Sequence, residues 1–235
     1  MKLHSVFITY NRLDCTQQAV ASYLETVTLP FTLVIVDNGS TDGTVEWLEG
    51  FQKEYPEHTV LLLGENKYPG YACNRGWELA PSDADLLHRA DNDWRFLPRW
   101  CQQVEVTFRN RRVGQVGLRT NREECFPNGT TVPWNVGGNN VIRRELWDAG
   151  LRYDERPWTE LPRGLSEDSF LSPAVRDMGY RWVRVNRPCI VGVSVESIRD
   201  PYYQKSWNDR KIHRGDQRTY GRVQTRRSGR RIRGD

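Results

Sequence analysis

Phe31-Thr32-Leu33-Val34-Ile35-Val36-Asp37-Asn38-Gly39-Ser40-Thr41-Asp42-Gly43 decides the fold of this 235-residue chain. Phe31 to Val36 is apolar except for Thr32, the pattern of a strand buried on both faces of a parallel sheet. Asp37 to Gly43 are turn formers throughout, so the chain leaves the sheet there. Val45, Leu48 and Phe51 then share one face of a helix. A strand, a polar loop and a helix in that order form one layer-building unit of an α/β protein.

Working outward, the unit repeats. Upstream, Phe7 and Ile8 close a short apolar strand, and Tyr10-Asn11-Arg12 follow as a loop. Asp14 or Thr16 is placed to cap a helix carrying Val20, Leu24 and Val27. Downstream, Val60 to Leu63 is a third strand. Pro69 opens a helix whose face, Ala72, Cys73, Gly76 and Ala80, is small enough to pack closely. Asp85 to Ala90 is a fourth strand, ending at Asp91-Asn92-Asp93. His88 and Arg89 interrupt its apolar pattern and are expected on a solvent-facing side, with a phosphate or acceptor contact as the other role for Arg89. The alternation predicts an α/β fold with a mostly parallel sheet flanked by helices.

The order then becomes less regular. Leu97, Trp100, Val104 and Phe108 form a helix stripe, and Val113 to Leu118 and Asn139 to Ile142 read as strands. Asn128-Gly129 marks a turn, and a short helix ends at Gly150. Another helix starts near Ser166 and carries Leu171, Val175 and Met178, with Pro173 marking a kink or a later start. Tyr180 to Val185 and Cys189 to Val193 are late strands.

Composition narrows the class. Hydrophobic residues make 37% of the chain and charged residues 27%, as in globular proteins. No apolar run approaches the ~20 residues that span a bilayer, and the N-terminus lacks the core and cleavage site of a signal peptide. Cys15, Cys73, Cys101, Cys125 and Cys189 are odd in number, widely spaced and without a C-x-x-C. That pattern argues against a disulfide framework or a zinc site and for a reducing, cytoplasmic setting. The net charge of +4 is unevenly spread: residues 204–235 hold 11 Lys+Arg and 3 Asp+Glu, a net of +8. The rest is acidic by four charges, so a near-neutral body ends in a basic tail.

In an open parallel sheet, ligands bind at the carboxyl ends of the strands. That rule selects Thr9 to Arg12, Asp37 to Asp42, Gly64 to Gly70 and Asp91 to Asp93. None is G-x-G-x-x-G or G-x-x-x-x-G-K-[ST], which disfavours a dinucleotide enzyme and a P-loop enzyme. Asp91 and Asp93, one residue apart at a strand end, can face one cation. Hard oxygen ligands suit Mg²⁺ or Mn²⁺, which also take diphosphate oxygens. The triplet is equally good turn chemistry.

Taken in order, Phe7-Ile8-Thr9-Tyr10-Asn11-Arg12, Val34 to Thr44, Asn66 with Gly70 to Gly76, and Asp91-Asn92-Asp93 resemble the family 2 glycosyltransferases of the GT-A fold. The resemblance covers about residues 4–195. It implies a glycosyltransferase domain over 1–200, with a nucleotide-sugar half at 1–93 and an acceptor half at 94–200, followed by the tail at 201–235. By that resemblance Thr9, Tyr10 and Arg12 line the base and ribose, and Asp37 bonds the base, most often uracil. Arg75 faces the donor, Asp91 contacts the ribose, and Asp93 binds Mn²⁺ or Mg²⁺, with His213 a candidate to close the metal site. Each has a plainer role open to it: Asp37 as a loop cap, Arg75 on a solvated helix face, His213 exposed in the tail.

Gly138-Asn139 to Arg144 and Glu167-Asp168 resemble the acceptor-side segments of that family. The implied mechanism is direct displacement with inversion, which needs a base for the acceptor hydroxyl and a cation for the leaving diphosphate. Asp168 is the candidate base, with Glu167 holding the acceptor or a backbone amide. Their place in the first turn of a helix fits ionised carboxylates and also fits simple capping. A non-catalytic nucleotide- or nucleic-acid-binding protein on the same fold is the alternative. The acceptor classes left open are a hydroxylated base in DNA, as in phage DNA modification, a lipid-linked or polymer saccharide, and a protein or small molecule. The tail could hold nucleic-acid phosphates or an anionic membrane surface, or serve solubility alone. Trp134, Trp158, Trp182 and Trp207 are candidates for stacking on a sugar or base, with core packing as the default.

Overall fold

The computed structural model describes residues 1–119, 135–162 and 165–193. The first half runs β1 (Leu3–Thr9), α1 (Leu13–Thr26), β2 (Phe31–Asp37), α2 (Thr44–Glu54), β3 (Thr59–Leu62), α3 (Tyr68–Trp77) and β4 (Leu86–Asp91). The second continues with β5 (Trp94–Phe96), α4 (Trp100–Phe108), β6 (Val113–Gly117), β7 (Asn140–Arg143), α5 (Arg144–Asp148), α6 (Leu171–Asp177), β8 (Arg181–Arg184) and β9 (Ile190–Gly192). A 3-10 turn at Glu167–Ser169 leads into α6.

Seven strands form one sheet in the order β3-β2-β1-β4-β7-β6-β8. The first four are parallel, with Thr9 beside Asp37 and Ile8 beside Asp91, so the loops after β1, β2 and β4 emerge together. β7 runs antiparallel to both β4 and β6, and β6 pairs in parallel with β8. Cys189 to Val193 does not extend this sheet. It supplies β9, which pairs antiparallel with β5 in a separate ribbon; of the two, β5 is the strand that the sequence pattern did not announce.

Alternate residues of the strands feed two cores. Leu3, Phe7, Leu33 and Ile35 pack against α1, α2 and α4 through Val20, Tyr23, Leu48, Trp100 and Val104. Val6, Ile8, Val34 and Val36 pack on the other face against Cys73, Trp77, Leu146 and Val175 of α3, α5 and α6. Each fully buried aliphatic or aromatic side chain contributes about 1.5–3 kcal/mol of hydrophobic stabilisation. The small face of α3 is used as expected. A Cβ on Gly76 would sit 2.5 Å from Val6 Cγ1, so only glycine lets the helix lie this close to the sheet.

Two expectations are corrected, and one left open is decided. His88 and Arg89 do not face solvent; they are 0% and 3% exposed. His88 packs between the rings of Tyr23, Phe96 and Trp100 and shares a hydrogen bond with Ser5 Oγ. Burial of this ring pushes its pKa down to about 3. Neither Asp14 nor Thr16 caps α1. The helix starts at Leu13, behind Arg12 in the left-handed region, and the Leu13 N–H is taken by Asp42 Oδ2 at 3.1 Å. Pro173 marks a later start and not a kink, because it is the third residue of α6, where its missing N–H costs nothing.

No helix of the described residues is long and apolar enough to cross a membrane. Cys15, Cys73, Cys101 and Cys189 are free thiols. Cys125, the Asn128-Gly129 turn, Trp134, Trp207, His213 and the basic tail lie outside the described residues.

Candidate active site

The carboxyl ends of β1, β2 and β4 are stitched into one surface by side-chain amides. Asn92 Nδ2 donates to Asn11 O at 3.0 Å, to Thr16 Oγ1 at 2.9 Å and to Thr9 Oγ1 at 3.2 Å. Asn11 in turn accepts the Thr41 N–H on Oδ1 and donates its own N–H to Ser40 Oγ, both at 2.7 Å. Asn38 ties in the loop after β3 by donating to Asn66 Oδ1 and accepting the Lys67 N–H. Gly39, at φ 81°, lies against that loop; a Cβ there would be 2.6 Å from the Glu65 backbone.

This stitching assigns places to the sequence candidates. Thr9 is fully buried, and its hydroxyl belongs to the network beneath the loops. Tyr10 is 43% exposed on the surface above. Asp37 does two things at once. Its Oδ2 accepts the Gly39 and Ser40 N–H groups at 3.0 and 2.9 Å, which is the loop-capping role. Its Oδ1 is buried with no hydrogen-bond partner, an acceptor of the kind that a donor group can complete. Arg75 pairs with Glu78 at 2.7 Å and Glu155 at 3.2 Å and lies over the Tyr71 ring, so its charge is already engaged.

Asp93 accepts from Arg12 Nη1 at 3.3 Å. Burial raises its pKa, and nearby Asp91 raises it further, against the pull of Arg12. A second positive charge would therefore be favoured here. Among the described residues no three His, Cys, Asp or Glu side chains gather on one point. One or two carboxylates completed by substrate phosphate oxygens is, however, the usual way that Mg²⁺ is held, and Asp93 with Asp91 fits that donor set.

Glu167 and Asp168 come to the same cluster from the 3-10 turn ahead of α6. Arg89 Nη2 donates to Glu167 Oε1 at 2.8 Å and to Asp91 Oδ1 at 3.1 Å. Trp158 Nε1 donates to Glu167 Oε2 at 2.8 Å. Burial opposes ionisation of Glu167, but Arg89 and the Trp158 N–H outweigh it and hold its pKa below the usual value. Both Glu167 oxygens are thus occupied by donors. Asp168 differs: Ser166 Oγ donates to Oδ1, and burial together with the Glu167 charge raises its pKa. A half-buried carboxylate with a raised pKa is a better proton acceptor than an ordinary one. The Ser166 side chain also closes a capping box with Ser169, so the capping role expected of this turn falls to the serines.

Asn139 completes the cluster. It donates from Nδ2 to Asp91 Oδ2 at 3.1 Å and accepts the Asp91 N–H at 3.0 Å. Gly138 lies so close that a Cβ would meet Asp91 Oδ2 at 2.5 Å. The sequence patterns named Asn92 and Asn139 only as members of their segments, and for Arg89 they preferred a solvent-facing side to a contact in the site. One signal was present for Arg89: it stands two residues before Asp91 on a strand, hence on the same face.

A mostly parallel seven-stranded sheet flanked by helices is the GT-A class of fold. The chain belongs to glycosyl transferase family 2, whose family model matches residues 5–153. It is 26% identical over 132 residues to an uncharacterised glycosyltransferase of Nostoc sp., covering 56% of this chain and 40% of that protein. It is 31% identical over 102 residues to the glycosyltransferase AglE of Haloferax volcanii, covering 43% and 32%. The fold is similar to that of the mannosyltransferase PcManGT of Pyrobaculum calidifontis, solved with GDP-Man and Mn²⁺. The TM-score is 0.67 at 20% identity, over 89% of this chain and 60% of that one. It is also similar to S. aureus TarS 1-349, with a TM-score of 0.65 at 15% identity over 91% and 65%. The chain thus spans about two fifths of the Nostoc relative and 65% of the TarS chain.

Proposed function

We propose that the chain is an inverting, metal-dependent glycosyltransferase that moves a sugar from a nucleotide-sugar donor to an acceptor hydroxyl. The observation that carries this is the placing of Asp37 and Asp91, with Asp93 two residues on, at the ends of the two strands that flank β1, and the Arg89 bridge that ties Asp91 to Glu167, the neighbour of Asp168. PcManGT and TarS have been solved with GDP-Man and UDP-GlcNAc, which supports a nucleoside-diphosphate sugar as the donor class. Uridine is the proposed nucleoside: the free Asp37 Oδ1 matches the imino N–H of a pyrimidine edge.

The roles follow from what each group has left to offer. Asp37 Oδ1 accepts from the base, while Tyr10 and Arg12 border it. Asp91 accepts a ribose hydroxyl from a carboxylate already aimed by Arg89 and Asn139. Asp93, with Asp91, would hold Mn²⁺ or Mg²⁺, which when bound offsets the charge of the leaving diphosphate. Asp168 takes the proton of the acceptor hydroxyl, its carboxyl oriented by Ser166. Glu167, saturated by Arg89 and Trp158, positions the cluster and is not itself the base. Arg75 is the donor-facing residue with least to offer, because release from Glu78 and Glu155 has to come first.

Two acceptor classes stand level: a hydroxylated base in DNA, and a lipid-linked or polymer saccharide. Both rest on the basic tail, and a pentosyl or a hexosyl donor suits either.

A thermal-shift panel of UDP-, GDP-, dTDP- and CMP-sugars, with and without Mn²⁺, tests the donor side, since a ligand that binds the native state raises the unfolding temperature by mass action. The expected result is a metal-dependent shift for UDP-sugars and slow donor hydrolysis. Asp93→Ala should fold normally and lose the metal-dependent part of the shift. A protein that shifts with no nucleotide sugar and hydrolyses none overturns the proposal and leaves the non-catalytic alternative.

A further inference from the structure

We infer that Arg89 is a positioning residue for sugar transfer, locking donor-side Asp91 and acceptor-side Glu167 into one relative geometry. The inference rests on the transferase proposal above. Arg89 lies in β4, 3% exposed, where a guanidinium is costly unless its donors are matched by charge. A structural counter-ion for one carboxylate would be enough to keep it there. Instead, one nitrogen, Nη2, is shared by two carboxylates that lie far apart in the chain. Glu167 Oε1 is at 2.8 Å and Asp91 Oδ1 at 3.1 Å, with Arg89 Nε adding a 3.2 Å bond to the same Asp91 oxygen.

The neighbours leave this group little freedom. The guanidinium lies 4.8 Å over the Tyr153 ring, and Asn140 Nδ2 donates to the Tyr153 hydroxyl at 2.7 Å. A Cβ on Gly138 would meet Arg89 Nη2 at 3.0 Å, so the chain closes directly over the cluster. On the far side, Glu167 Oε2 receives the Trp158 indole N–H, so both oxygens of that carboxylate are held. Asp168 is the next residue along the backbone. The distance between the ribose contact and the proposed base is therefore set through the Nε–Nη2 edge of one planar guanidinium, whose Nη1 is buried with no hydrogen-bond partner. Lysine offers a point charge on a flexible stem and cannot reproduce that planar edge.

The test is Arg89→Lys in the full chain. The readouts are UDP binding with Mn²⁺ by calorimetry, hydrolysis across the same nucleotide-sugar panel, and thermal unfolding. A positioning role predicts a folded protein with nucleotide affinity close to wild type and a turnover number lower by about 10²-fold, the scale of a 1 Å misplacement. Turnover at the wild-type rate overturns the inference, and so does lost affinity with turnover intact, which would make Arg89 a donor-side residue only. If Arg89→Lys does not fold, Arg89→Met with Glu167→Leu replaces the ion pair by an apolar one, an exchange that cores often tolerate. That pair should fold and still turn over slowly; recovered turnover would mean that the ion pair served stability alone. A wild-type protein that binds no nucleotide and cleaves no donor overturns the transferase proposal and this inference with it. A fast Arg89→Lys overturns the inference alone.

Discussion

Half-buried Asp168 and fully buried His88 are both titratable groups, and their environments push them in opposite senses. For Asp168 the push suits the proposed role of base. Its pKa is raised by burial and by the Glu167 charge, so it holds its proton to a higher pH than an ordinary aspartate. The acidic limb of the rate profile should therefore lie above the usual aspartate range. Asp168→Asn should keep donor binding and lose ~10²–10⁴ in turnover, the contribution of a general base. Retained activity in Asp168→Asn would remove Asp168 from that role. For His88 the push serves only packing. Its folded pKa is about 3, below the unfolded value of 6.5, so the unfolded chain takes up the proton first as pH falls. Stability is then complete above about pH 6.5 and declines by about 1.4 kcal/mol per unit below it. His4, lowered by burial, acts in the same sense, while Asp93 and Asp168, with raised values, act against it. Comparing wild type with His88→Phe isolates the histidine: denaturant unfolding between pH 7 and 5 should show a shallower loss in the mutant. Parallel curves would mean that His88 is not the group being protonated.

Between residues and whole elements, Asp42 does the capping that local sequence assigned elsewhere. Its Oδ2 accepts the Leu13 N–H at the start of α1, and its Oδ1 accepts both the N–H and the hydroxyl of Thr44 at the start of α2. Burial works against this carboxylate, yet the Thr44 and Leu13 bonds hold its pKa low. Losing one cap costs about 1 kcal/mol, so Asp42→Ala should cost about 2 kcal/mol in urea unfolding, without loss of the β1–β2 pairing. A change below about 0.5 kcal/mol, the scale of a neutral surface substitution, would show that water replaces both caps. The same residue explains what was legible in the sequence. The apolar run at Phe31 to Val36, the strand read over Asp85 to Ala90, and helix faces such as Leu48 and Phe51 depend on local pattern, and all became elements where expected. The cap of α1 depends on a residue 29 positions away, and β5 exists only because β9 pairs with it. Arg89 failed as a solvent-facing residue for the same reason: its partner Glu167 is 78 positions away. Period and turn chemistry see neighbours along the chain, whereas buried charge is decided by neighbours in space.

Across the whole molecule, charge is the feature that the fold leaves unexplained. Residues 204–235 hold a net +8 against an acidic remainder. Charge concentrated in this way makes a local attractive field for a polyanion, which a scattered +4 would not. The proposed donor site lies in residues 1–93, so charge in the last 32 residues is not needed to bind the donor. If the acceptor is nucleic acid, these arginines should add phosphate contacts that strengthen binding without reading sequence. Affinity should then fall steeply with salt, because each contact releases counterions. Deleting residues 222–235 removes Arg222, Arg226, Arg227, Arg230, Arg231 and Arg233. The truncated protein should show a flatter salt dependence and weaker DNA binding, yet hydrolyse donor at the full-length rate. A saccharide acceptor on an anionic membrane makes the parallel forecast for vesicles containing phosphatidylserine, where each basic residue near the surface adds about 1 kcal/mol. Running DNA and vesicles side by side at low salt therefore separates the two acceptor classes by which partner the deletion weakens. Full-length protein that binds neither takes away the support that the tail gives to both, and leaves the arginines a solubilising role.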